Sequence, residues 1–97
     1  MGVNLRALAR GRECQVRIPG ICNRDPATTV LAHIRMAGIT GVGMKASDFL
    51  GAHCCSACHD VIDGRTQTLH SRDYLRLAHL EGMARTLAIM LDEGVIG

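Results

Sequence analysis

Hydrophobic and polar positions change rhythm several times along this chain. Residues 4–12 read as a short helical turn or a loose arm. Residues 13–22, ECQVRIPGIC, alternate apolar and polar and then meet Pro19-Gly20. Pro-Gly is a turn signal, so the stretch reads as a hairpin-like loop returning one cysteine to another. NRDPA, 23–27, is a further turn, and TTVLAHIRM, 28–36, is rich in β-branched residues and predicts a strand. The glycines of AGITGVGM, 37–44, predict a flexible loop, and 45–52 a turn-plus-strand or a helical turn. A short helix is expected to start at 56 and to end at Gly64.

The clearest element follows. Ser71 suits an N-cap, Asp73 suits the positive end of a helix dipole, and Gly94 is a stop signal. Between them Tyr74, Leu77, Leu80 (or Ala78), Ala84, Leu87, Ile89 and Leu91 recur at helical spacing. The prediction is a helix over 71–93, roughly 30 Å long at ~1.5 Å per residue. Its apolar stripe is expected to face the core or a second copy of the chain, which would make a homodimer through this helix.

Composition changes the picture in one respect. With 97 residues the chain is long enough for one domain, 1–97, and its core is thin. Phe49 and Tyr74 are its only aromatics, so a structural metal or disulfides are expected to supplement that core. The N-terminus shows no apolar signal segment, and no apolar run reaches the ~20 residues of a membrane span. The expectation is a cytoplasmic protein with reduced thiols and no membrane partner, in which clustered cysteines hold metal. Net charge is +2, mildly basic, which permits a nucleic-acid partner without requiring one. Arg6, Arg10, Arg12, Arg17 and Arg24 crowd the N-terminal third, as phosphate contacts or as a solvated basic segment.

Five cysteines carry the chemistry. Cys55 and Cys58, three apart at the entry to a helix, can chelate one tetrahedral ion, and Cys14 and Cys22 at the two ends of the Pro-Gly loop can complete it. The expected ion is a structural Zn2+ that ties the N-terminal loop to the 54–63 turn. Cys54 reads as a small buried hydrophobe, with the alternative that it replaces Cys55 as ligand. A redox CxxC is disfavoured because no βαβ pattern surrounds it.

A structural zinc leaves other polar residues unexplained. His33 lies within the predicted strand, Asp48 precedes an apolar run, and His59 and Asp63 are four apart on one helix face. Alone, His33 would be an ordinary core or surface histidine. Together these residues outline a hydrolytic site, with an imidazole to deprotonate water and a hard divalent ion, Mg2+ or Mn2+, to stabilise a pentacoordinate phosphorus.

The order of a cysteine pair, LAHIR, a Gly-rich loop and MKASDFLGAHCCSACHDVID resembles the HNH, or ββα-metal, endonucleases. It is particularly similar to small prophage-encoded nucleases of the YbcO kind. The resemblance covers most of 13–64; the helix over 71–93 lies outside it. It implies an α+β fold: a small treble-clef/ββα-metal domain, zinc-supported, with a long C-terminal helix. It also implies His33 as general base, Asp48 in the middle position that supports the loop or the base, and His59 as ligand of the catalytic ion. Asp63 is implied as a further ligand, and Arg35 and Lys45 as phosphate contacts or solvated charges. Many members carry Asp or His before the strand histidine; here that residue is Ala32, and Asp48 or Asp63 would have to compensate. His53 is a secondary candidate. The expected activity is metal-dependent hydrolysis of DNA. The alternative is a non-catalytic zinc-supported module that binds nucleic acid or protein, or an adaptor that dimerises through the last helix.

Overall fold

The structure is a computed structural model and describes residues 4–36 and 47–96. Leu5–Leu8 form α1, a single turn capped by the Asn4 side chain on the Ala7 amide. An irregular segment then carries Cys14 and Cys22. A short 3-10 turn at Pro26–Thr28 leads into strand β1, Val30–His33. A second 3-10 turn, Asp48–Leu50, leads into strand β2, Gly51–Cys54, and helix α2 is Ser56–Ile62. Helix α3 is Arg72–Asp92, capped by Ser71 as its sequence indicated. Gly64 and Gly94 end the last two helices with φ of +79° and +73°, the left-handed region that glycine enters without a Cβ penalty.

β1 and β2 pair antiparallel, with Val30 opposite Cys54 and His33 opposite Gly51. The strand expected over 28–36 is shorter than that. Asp25 caps the Ala27 amide and Pro26 starts a 3-10 turn, so pairing begins only at Val30. The Gly-rich loop expected over 37–44 lies outside the described residues, and so does Lys45.

Successive side chains of β1 face opposite ways, and two apolar clusters result. Ala32 joins Cys14, Val16, Ile18, Val61, Leu75 and Ala78 in one cluster around the buried thiols. Leu31 joins Leu5, Ala9 and Met90 in the other. α3 packs along β2 and so spans both.

The buried face of α3 is not the stripe its hydrophobic spacing predicts. Leu75, Ala78, His79, Gly82, Thr86 and Met90 are buried, whereas Leu77 and Leu91 are more than half exposed. The physical reason is close approach. A Cβ on Gly82 would stand 2.8 Å from Val16 Cγ2 and 3.0 Å from Val16 Cα, so this face admits only a small residue there. Thr86 Oγ1 accepts from the His53 amide at 2.9 Å and donates to the Gly82 carbonyl at 2.8 Å. Shape and hydrogen bonding select these residues, and bulk hydrophobicity does not. Among the described residues no helix is long and apolar enough to cross a membrane.

Candidate metal centre and active-site cleft

Two candidate sites stand out. The first is the cysteine cluster. The sulfurs of Cys14, Cys22, Cys55 and Cys58 all lie within 4.8 Å of one another. Cys22 Sγ and Cys55 Sγ are 3.8 Å apart, too far for a disulfide. That separation equals the edge of a tetrahedron with metal–sulfur bonds of ~2.3 Å, which is about 3.8 Å.

The local backbone explains the convergence. Arg17 takes φ +52° and Arg24 φ +55°, left-handed turns that curl the chain back over Cys14 and Cys22. The Arg17 amide then points at Cys14 Sγ at 3.5 Å, and the Cys58 amide at Cys55 Sγ at 3.4 Å. The Arg24 amide likewise bonds Cys22. Amides aimed at sulfur favour thiolates, the form that binds metal. Hydrogen bonds from the Cys54 and Cys58 thiols, with the Arg17 and Cys55 amides, hold Cys14 far below the ordinary thiol range. Burial pushes Cys22 up, and the hydrogen bond with Cys14 pushes Cys58 up. Several thiolates this close repel one another unless a cation is shared among them. The donor set fits a metal such as zinc, in a closed four-sulfur site. Cys54 stays outside the four: its hydrogen bond to Cys14 and its burial hold it as a neutral thiol.

The second site is a cleft of about 330 Å³ between the end of β1, the C-terminal end of α2 and the first two turns of α3. His33 and Arg35 line one side, Asp63 another, and Arg72, Arg76 and His79 the third. His33 Nε2 lies 2.7 Å from Asp48 Oδ1, which also accepts from Arg6 Nε at 3.1 Å. The His33 hydrogen bond and then Arg6 hold Asp48 below the usual carboxylate range, so it is an ionised acceptor. His59 Nε2 lies 3.1 Å from Asp63 Oδ2, which Arg65 approaches at 3.2 Å. His79 Nε2 donates to the Ala32 carbonyl at 2.8 Å, and burial lowers its pKa and keeps it neutral.

His33 and His79 each meet an oxygen acceptor through Nε2, so in the neutral ring Nε2 carries the proton and Nδ1 keeps the lone pair. The acceptor behind each ring fixes its orientation.

Sequence reasoning named His33, Asp48, His59 and Asp63; His33 and Asp63 line this cleft, while Asp48 and His59 lie outside its lining, the first hydrogen-bonded to His33 and the second 3.1 Å from Asp63. The structure places Arg35 on the cleft wall. Reasoning missed His79, Arg72 and Arg76, because α3 lay outside the recognised motif. A signal was present: 72, 76 and 79 are four and three apart, one polar edge of a helix. His53, the secondary candidate, does not line the cleft. It is buried, with both ring nitrogens unpartnered.

The cysteine cluster and the cleft beside His33 belong to a small α+β fold with a metal-capable support and an arginine-lined cleft. Relatives of that kind exist. The family profile described as "Putative nuclease YbcO" matches residues 3–95, and the chain belongs to that family. It is 57% identical over 93 residues to "Putative nuclease YbcO" of Escherichia coli (strain K12), covering 96% of each chain. The same figures hold for "Putative nuclease ybcO" of Enterobacteria phage 82. A solved structure of "a putative bacteriophage protein" from Escherichia coli K-12 superposes with a TM-score of 0.79 at 54% identity, over 94% of this chain and all of that one.

Proposed function

We propose that the chain is an HNH-type endonuclease that hydrolyses DNA phosphodiester bonds, with a structural zinc on the four cysteines. The observation that carries the reading is the 2.7 Å His33–Asp48 hydrogen bond at the edge of an arginine-lined cleft. The order β1, β2, α2, with His33 ending the first strand and His59 on the helix, supports the ββα-metal assignment. The names of the relatives support a nuclease.

In this reading Asp48 holds the His33 ring while Nδ1 takes a proton from water. The water oxygen bonds to phosphorus, the P–O bond to one sugar oxygen breaks, and that oxygen leaves with the electron pair. His59 and Asp63 would hold Mg2+ or Mn2+, which supplies charge stabilisation for the pentacoordinate phosphorus. Among the described residues only the cysteines bring three or more ligand atoms together. A hard divalent ion completes its shell with waters and substrate phosphates, so two protein donors fit this role.

The test is plasmid nicking in Mg2+ or Mn2+, comparing the wild type with His33→Ala. The expected result is nicking by the wild type and at least ~100-fold slower nicking by the variant, the usual size of a general-base contribution. DNA bound equally by both, with neither cutting, would make this a zinc-supported binding module.

A further inference from the structure

Several arginines of this protein are tied into the fold, and others face the cleft. Arg12 forms a two-pronged pair with Glu93 at 2.5 and 2.6 Å, and Arg6 bonds Asp48. Arg17 folds back on Cys14 and Gln15, Arg65 bonds Asp60, and Arg85 donates to the Gln15 carbonyl. These guanidinium groups are consumed in holding the fold. Arg35 and Arg76 have no hydrogen bond or ion pair among the described residues, and both line the cleft. They also share a second recess, of about 30 Å³, with His79. Arg72 spends one Nη1 hydrogen bond, 3.2 Å, on the Ile62 carbonyl, which fixes it at the end of α2 with its other donors open.

Three guanidinium groups around one cleft repel one another, and Asp63 is already committed to His59 and Arg65. Asp73, also on the wall, is one acid against three cations. Such a cleft lacks an anion. Guanidinium forks match phosphate oxygens in pairs, and a cavity of about 330 Å³ is at the small end for ligand sites, the size of one nucleotide unit.

From this geometry we infer that Arg72 and Arg76 of α3, with Arg35 across the cleft, form a clamp on one phosphodiester of a nucleic-acid strand. The inference rests on the nuclease reading for its ligand. It gives the long helix a role in binding substrate: α3 presents Arg72, Arg76 and His79 along one edge, so the helix that closes the core also builds the wall where the strand lies. Each phosphate contact carries a counterion-release contribution, and a strand is held in register while its bases go unread.

The test measures binding of a fluorescein-labelled single-stranded oligodeoxynucleotide by anisotropy between about 50 and 200 mM salt. The His33→Ala chain serves as a background so that the probe stays uncut. Arg76→Gln, whose side chain has no hydrogen bond or ion pair among the described residues, and Arg72→Gln/Arg76→Gln are compared with Arg10→Gln, an arginine that does not line the cleft. The expected result is that the single cleft variant flattens the slope of log K against log salt by about 0.7, and the double variant by about twice that. Lysine at both positions should restore most of the slope, since charge sets it. Zinc content and thermal melting of each variant confirm folding. Unchanged affinity and slope in Arg76→Gln and in a folded double variant would overturn the clamp, even if the wild type nicks DNA. A flattened slope in a protein that never cuts would keep the clamp and discard the nuclease.

Discussion

Gly82→Ala sets two physical effects against each other at one atom. Helix propensity alone favours alanine by about 1 kcal/mol in a helix interior. Gly82 lies within α3, Arg72–Asp92, so the substitution should stabilise if propensity decides. The tertiary structure opposes it. The new Cβ would meet Val16 Cγ2 at 2.8 Å, Val16 Cα at 3.0 Å and Val16 N at 3.1 Å. Two of these three atoms are backbone, in a segment that cannot yield easily. Gln15 donates its amide to the His53 carbonyl at 2.7 Å, and Arg17 is turned towards Cys14. The helix must move instead, which stretches the hydrogen bond from the His53 amide to Thr86 Oγ1. Overpacking of this kind costs ~1–3 kcal/mol, which cancels or outweighs the gain from propensity, so the net change runs from zero to a loss of about 2 kcal/mol. Urea unfolding at fixed free zinc should show an equal or lower midpoint with an unchanged slope, and melting should fall by roughly 4–8 °C per kcal/mol lost. Ala84→Gly, at an exposed α3 position, is the control and should lose about 1 kcal/mol through propensity alone. Gly82→Ala more stable than the wild type by the full ~1 kcal/mol of propensity would refute the close-packing argument.

Other expectations follow from the same geometry. Cys22→Ser or Cys58→Ser should lose stoichiometric zinc by elemental analysis and unfold at ambient temperature by circular dichroism, because structural zinc contributes ~10 kcal/mol or more to folding. Burial lowers the folded pKa of His79 below its unfolded value of 6.5, so the unfolded chain binds more protons between the two values. Its contribution is complete above about pH 6.5 and declines as pH falls; His79→Asn should flatten this part of the stability–pH curve, and an unchanged slope would show that His79 is not its source. His53→Leu should raise stability by about 1 kcal/mol in urea melts, since it replaces two buried, unpartnered ring nitrogens with apolar atoms.

Much of this protein is local, and what is local could be read from the residue string. Ser71 and Gly94 bound α3 because caps act on neighbouring amides and carbonyls. Cys14, Cys22, Cys55 and Cys58 announced a cluster because two thiol pairs in so small a chain suit few other arrangements, and their sulfurs do converge. His33, Asp48, His59 and Asp63 stood out by residue type and order. The tertiary structure alone decided which face of α3 is buried, because that depends on how near Val16 comes to Gly82 and not on the spacing of leucines. It alone brought Arg72, Arg76 and His79 to the rim beside His33, across a separation of some forty residues that no periodicity encodes. Short-range hydrogen bonding is written residue by residue along the chain; the pairing of distant surfaces is settled only when backbones approach and exclude every other fit.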